Sequence, residues 1–136
     1  MRIKILPVVA AGLALVSMHA RGAGFDGSKP MLCALMEQTE CAPHGECIRG
    51  SVKDIGLPTF VTLDVANQRL VEKSDREDVR STPVDSRRII DGKLIVQGGE
   101  FGRAWGVVIN IESGDMSAAI TGDGVVFAVF GSCTHL

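Results

Sequence analysis

The residues of this sequence with the clearest chemistry are its four cysteines, Cys33, Cys41, Cys47 and Cys133. An even number of cysteines is typical of a disulfide framework when a small chain is exported, as the first twenty residues of this one predict (below), and four cysteines allow three connectivities. We favour Cys41–Cys47 together with Cys33–Cys133, because a proline and a glycine lie between the first pair and suit a tight chain reversal. The second bridge would then join the start of the folded domain to its end.

The same cysteines could instead bind a metal ion. Cys41, His44 and Cys47 offer three ligands of the types that zinc prefers, and Cys133 and His135 could complete a tetrahedral set. The spacing matches no common zinc module, however, and an oxidising compartment favours disulfides over thiolates. The sequence therefore predicts structural disulfides and no cofactor, with a metal binder at the Cys41-His44-Cys47 turn as an alternative.

Residues suited to nucleophilic catalysis are few. Beyond the first twenty residues the chain has two histidines, His44 and His135, and no G-x-S-x-G motif that would mark a nucleophile elbow. The glycine-rich segment 98–102 lacks the following helix and the Lys-Ser/Thr pair of a phosphate-binding loop, so it predicts a hairpin. We therefore predict no catalytic residues, and an enzyme is the less favoured interpretation.

Acidic residues near predicted turns offer one further route to catalysis. Glu100, Asp115 and Asp123 could act as paired carboxylates if folding brought them together, so a hydrolase of this kind is an alternative. Aromatic residues make up only 4% of the chain and tyrosine is absent, which leaves little surface for stacking against sugars. Trp105 lies on the apolar face of its predicted strand, which favours core packing over ligand contact.

The first twenty residues have the three parts of a secretory signal peptide. Arg2 and Lys4 supply the positive charge, an apolar stretch of about a dozen residues follows, and small residues allow cleavage between Ala20 and Ala23. The apolar stretch is shorter than the ~20 residues that span a bilayer, so we expect no stable membrane insertion after cleavage. The sequence predicts a periplasmic or secreted protein.

Length and charge limit the remaining possibilities. A chain of 136 residues is long enough for one domain, which we place at residues 31–136, after a signal peptide at 1–20 and a flexible lead-in at 21–30. The formal net charge of -2 lacks the basic surface that nucleic acid requires. We therefore expect no nucleic-acid partner.

Hydrophobic patterning beyond the lead-in predicts strands and turns throughout. Between residues 105 and 111 apolar side chains occupy every second position, which is the pattern of a half-buried strand. Residues 82–90 form one extended segment, and Asp91-Gly92 after them is a strong hairpin signal. We predict an all-β fold, an antiparallel meander of about eight strands that closes into a small barrel, with an open sandwich as the alternative. The Cys33–Cys133 bridge would hold its first and last strands together.

Several short motifs belong to the framework of the chain rather than to its chemistry. They are Phe25-Asp26-Gly27-Ser28-Lys29-Pro30 leading into Leu32-Cys33-Ala34, the turn from Cys41 through Gly45 to Cys47, Trp105-Gly106, and Phe130-Gly131-Ser132-Cys133-Thr134. With these motifs the chain resembles uncharacterised small exported proteins of Gram-negative bacteria, over nearly all of its length beyond the signal. The resemblance implies export and brings no known activity, so it assigns no functional residues.

These patterns together favour an exported, non-enzymatic binding or interaction domain. The signal peptide, the even cysteine count, the meander and the lack of a catalytic constellation all support this interpretation. A barrel of about eight strands is either filled by side chains or wide enough to hold one small ligand. We therefore expect a small apolar ligand or a protein as the partner.

Overall fold

Ten strands follow one another along residues 24–136, which are the residues that the computed structural model describes. The signal peptide predicted for residues 1–20 and its cleavage region between Ala20 and Ala23 lie outside them. The strands are β1 (Met31–Cys41), β2 (Ile48–Gly50), β3 (Phe60–Asp64), β4 (Arg69–Glu72), β5 (Ser81–Pro83), β6 (Ser86–Ile90), β7 (Lys93–Glu100), β8 (Arg103–Asn110), β9 (Asp115–Gly122) and β10 (Val125–His135). A 3₁₀ turn at Val52–Ile55 lies between β2 and β3.

The strands form one antiparallel sheet that curls into a half-barrel, called the barrel below, so the predicted all-β class is confirmed. Their order is β5-β4-β3-β1-β10-β9-β8-β7-β6, with β2 paired beside β3 on the same edge of β1. Strands that are neighbours along this order are also consecutive in the chain, except where β1 pairs with β10 and where β1 pairs with β3. No helix among residues 24–136 is long and apolar enough to cross a membrane.

The first and last long strands are joined by a disulfide as well as by hydrogen bonds. β1 pairs with β10 from Met31 opposite His135 to Cys41 opposite Val126. Cys33 lies directly opposite Cys133, and the two form a disulfide across the ladder, with their Cα atoms 3.9 Å apart. The long bridge thus joins the first strand to the last, as the sequence analysis predicted.

The segment 82–90 differs from the single extended segment predicted there, because the sheet uses it for both of its end strands. β5 pairs with β4 and β6 pairs with β7, and the two are joined by only two residues, Val84 and Asp85. The Val84 amide donates to the Gln68 carbonyl (2.9 Å) and the Asp85 amide donates to the Gln97 carbonyl (2.8 Å). Successive amides of an extended chain point in opposite directions, so this segment links the two ends of the sheet and brings them together.

One end of the barrel is filled by side chains, and residues from the segment 24–30 pack against it. We call it the packed end; Met31, Leu94 and Ile109 fill it and are at most 1% exposed. Gly27 lies against Leu94 so closely that a Cβ there would come within 3.3 Å of a leucine methyl group. The Phe25 ring stacks on the ring of the β10 residue His135, with centroids 4.3 Å apart. The structure thus places residues of the predicted lead-in 21–30 against the barrel.

Candidate functional site

The other end of the barrel, which we call the open end, contains a cavity. It carries the β7–β8 and β9–β10 turns, and its cavity has a volume of about 540 Å³. Ligand pockets in proteins commonly have volumes of about 300–1,000 Å³. The space is therefore large enough for one small organic molecule.

The wall of the cavity is built from residues of eight strands, all of the strands except β2 and β6. Because side chains alternate across a strand, β9 directs Met116, Ala118 and Ile120 into the cavity and exposes Ala119 on its outer face. β10 likewise directs Val129 inward, where it lies opposite Ala118 in the ladder. The deep wall is consequently apolar.

A short segment after the 3₁₀ turn forms the remaining wall. The Ser51 hydroxyl accepts from the Lys53 amide (3.3 Å) and the Asp54 carboxylate accepts from the Ser51 amide (2.8 Å), which is a capping box that starts the turn. Gly56, with φ of 73°, ends the turn in the left-handed region. The chain then passes Leu57 along the side of the cavity.

An ion pair at the mouth holds this segment in place. The Glu72 carboxylate is 8% exposed and accepts from Arg80 Nε (3.2 Å), while Arg80 Nη2 donates to the Gly56 carbonyl (2.7 Å). The hydrogen bond from Arg80 is the main reason that the pKa of Glu72 lies below its ordinary value of 4.5. The positive charges of Arg80 and Arg76 lower this pKa further, against an opposing effect of burial. Arg80 therefore connects β4 to the segment that forms this wall of the cavity.

Charged residues of both signs surround the mouth. Besides Glu72 and Arg80, the charged residues that border the cavity are Glu100, Arg103 and Asp123. The Arg103 Nε and Asp123 Oδ2 atoms are 3.9 Å apart, and both side chains are more than half exposed, so this pair contributes little stability. The rim of the cavity is therefore polar and carries both acidic and basic side chains.

Trp105 lies on the cavity wall, although its position in an apolar pattern favoured core packing. The side chain is half-buried, lines the cavity, and donates from Nε1 to the Thr82 hydroxyl (3.1 Å). A Cβ at Gly98, directly across the ladder, would overlap the Trp105 ring and the Pro83 carbonyl oxygen. Gly98 thus makes room for Trp105, whereas the hairpin turn itself lies at Phe101-Gly102. A core and a cavity both need apolar inward residues, so the alternating pattern could not separate them.

The three carboxylates considered for catalysis do not come together. Glu100 and Asp123 both border the mouth of the cavity. Asp115 lies at the packed end, where it accepts a hydrogen bond from the Ser113 hydroxyl (2.8 Å). Only two of the three residues therefore share a site.

The residues considered for metal binding do not form a metal site in the structure. Cys41 and Cys47 form a disulfide, so neither provides a thiolate, and His44 is exposed in the turn between them. His135 stacks on Phe25 at the packed end. Among residues 24–136 no group of three or more His, Cys, Asp or Glu side chains could hold a metal ion.

The two disulfides indicate an oxidising compartment outside the cytoplasm. Both bridges have the pairing that the sequence analysis favoured. Comparison of the chain with known protein families, curated proteins and solved structures finds no match.

Proposed function

We propose that this protein is an exported, non-enzymatic binding protein that holds one small apolar molecule in the open end of its barrel. The observation that carries the proposal is the apolar cavity of about 540 Å³, left at one end of a barrel whose other end is packed. The proposed partner is a small molecule rather than nucleic acid or a membrane.

The energetic argument rests on the apolar wall. Removing apolar surface from water stabilises a complex by about 25 cal/mol per Å². At the packed end, other side chains remove the apolar wall from water. At the open end, the side chains of Val107, Ala118 and Ile120 line the cavity instead. A ligand that fills this space would supply the missing apolar contacts.

The distribution of charge defines the kind of ligand. The charged residues of the cavity, such as Arg80 and Asp123, lie at the mouth, and the deeper wall is formed by residues such as Val107 and Val129. An unpaired charge placed deep in such a site would lose its hydration without gaining a partner. The ligand therefore has an apolar body, and any polar group it carries lies at the rim.

Export is part of the same proposal. The two disulfides fit an oxidising compartment, and the signal peptide predicted for residues 1–20 would deliver the chain to the periplasm or the medium. The resemblance to small exported proteins of Gram-negative bacteria supports the same location. A water-filled compartment is also where an apolar molecule needs a carrier.

Trp105 provides a direct test. It is the single tryptophan of a chain without tyrosine, so intrinsic emission reports on the cavity wall. Titration with the uncharged probe N-phenylnaphthylamine is expected to quench this emission until one probe is bound per chain. The quenching would arise from energy transfer between Trp105 and a probe bound close to it.

A matched pair of variants separates cavity binding from surface binding. Ala118→Phe fills the cavity, and Ala119→Phe adds the same ring to the outer face of the same strand. We expect Ala118→Phe to weaken probe binding at least tenfold, roughly 1.4 kcal/mol, and Ala119→Phe to leave it unchanged. Equal effects of the two variants, or no saturable binding by the wild-type protein, would contradict the proposal.

A further inference from the structure

Three hairpins of this barrel have two-residue turns of the same geometry. In the described residues these are Asp91-Gly92, Phe101-Gly102 and Asp123-Gly124. The first residue has φ of 46°, 50° and 56° respectively, and each glycine has φ between 73° and 76°. Both positions of every turn are left-handed, as the twist of a two-residue hairpin favours.

Phe101 is the exception among the first residues of these turns. Asp and Asn tolerate the left-handed region because their short polar side chains hydrogen-bond locally, and Asp occupies this position in the other two turns. A bulky aromatic residue has no such compensation and is rare there. Burial of the ring does not offset the free-energy cost of this backbone conformation either, because Phe101 is 95% exposed. Nothing in the folded domain itself accounts for a phenylalanine at this position.

The location of Phe101 indicates a role at the cavity. The turn that carries it stands at the mouth, and Phe101 is one of the residues that border the cavity. Unfavourable backbone conformations persist chiefly at ligand clamps and other functional sites. An exposed ring beside an apolar cavity is also the group that an entering apolar molecule would touch first.

We propose that Phe101 is a ligand-contacting residue whose ring covers the outer end of the bound molecule and slows its release. This inference rests on the proposed function of the cavity. The ring and the end of the ligand would each lose contact with water when they pack together, which favours the complex. Rotation about the side-chain bonds of Phe101 is enough to bring the ring over the mouth, since exposed side chains change rotamer freely.

The hairpin offers a firm base for such a contact. Glu100 pairs with Arg103 next to the turn. A Cβ at Gly122 of the neighbouring strand would lie 2.7 Å from Arg103 Cγ and 3.1 Å from the Gly102 carbonyl oxygen, so the turn packs closely against β9. The backbone of the turn is therefore packed against β9, while the Phe101 side chain is exposed to solvent.

Phe101→Asn tests the inference because it should move stability and binding in opposite directions. Asn-Gly is a preferred pair for this turn, so the midpoint of thermal unfolding is expected to rise. The variant carries no charge, so electrostatics cannot account for a change in the binding of an uncharged probe. We expect the Kd for N-phenylnaphthylamine to rise about tenfold, mainly through faster dissociation in stopped-flow recordings of Trp105 emission.

Two further variants separate ligand contact from a structural role. Phe101→Leu keeps an apolar side chain at the mouth and is expected to restore binding to within about threefold of wild type. Asp91→Phe creates a second Phe-Gly turn at the packed end, where it should lower the unfolding midpoint and leave the Kd unchanged.

The outcomes distinguish this inference from the function on which it rests. Saturable probe binding by the wild-type protein with an unchanged Kd and dissociation rate in Phe101→Asn would overturn the role of Phe101 and leave the cavity proposal standing. Absence of probe binding by the wild-type protein would overturn both.

Discussion

The two ends of this barrel are built from the same strands and yet are filled differently. At the packed end the inward residues Leu94 and Ile109 are completely buried, and the chain before β1 lies across them at Gly27. At the open end Val107 and Ile120 face a cavity, and the neighbouring turns stay at its rim. Alternating apolar residues thus build the wall in both places. Whether the wall encloses a core or a cavity is decided by segments distant in sequence.

The Cys33–Cys133 disulfide is the largest expected single contribution to stability, and the two disulfides lie in different regions of the molecule. Cys33–Cys133 lies between the packed end and the cavity and spans 100 residues, whereas Cys41–Cys47 lies beyond the open end and spans 6. In the chain-entropy model the long bridge contributes about 4.7 kcal/mol and the short one roughly 2 kcal/mol. We expect urea unfolding of the paired alanine variants to show losses in this order. Equal losses of unfolding free energy would show that the Cys33–Cys133 bridge does not stabilise the barrel more than the short bridge does.

A matched isoleucine pair compares the ends directly. Ile109→Ala removes a fully buried side chain at the packed end and is expected to cost about 3 kcal/mol of unfolding free energy. Ile120→Ala acts on a partly buried side chain that faces the cavity and should cost about 1 kcal/mol, since fewer contacts are lost. Urea unfolding of both variants measures the difference. Equal costs would mean that the open end is as tightly packed as the other.

The smallest expected effect is a dependence on pH at the open end. Because the pKa of Glu72 is lowered in the folded state, its ionised form stabilises the fold above its unfolded pKa, near 4.5, and this contribution is lost as pH falls through the folded pKa. Urea unfolding between about pH 6 and pH 3 should therefore show a loss of stability that is smaller in Glu72→Gln. Glu77→Gln, an exposed residue of the same loop, is the matched control. An identical pH response in wild type and Glu72→Gln would exclude the Glu72–Arg80 pair as the support of the cavity wall.

Local patterns predicted individual strands and turns, and the residues between Cys41 and Cys47 favoured the disulfide pairing that the structure shows. The period of two between residues 105 and 111 matches β8, and Asp91-Gly92 forms the turn that its sequence predicts. The division of residues 82–90 into β5 and β6 could not be predicted, because it depends on the two ends of the sheet meeting through Val84 and Asp85. Local patterning carries no information about such closure.

The candidate site was less predictable than the fold. Trp105 has the same alternating position whether it packs in a core or borders a cavity, so only the arrangement of the strands around it decides. Phe101 did leave a signal, since phenylalanine stands before glycine where Asp-Gly occurs in the other two-residue turns of the described chain. The prediction of a glycine-rich hairpin over residues 98–102 does not say which two of these residues form the turn. The position of the turn had to be known first.

Methyl NMR of the protein titrated with N-phenylnaphthylamine tests the central claim most directly, because it observes both ends of the barrel in one experiment. We expect chemical-shift changes at the methyl groups of Val107, Ala118 and Ile120, and none at those of Leu94 and Ile109. Shift changes at Val126 on the outer face without changes at the cavity residues, or no shift change at a saturating probe concentration, would contradict it.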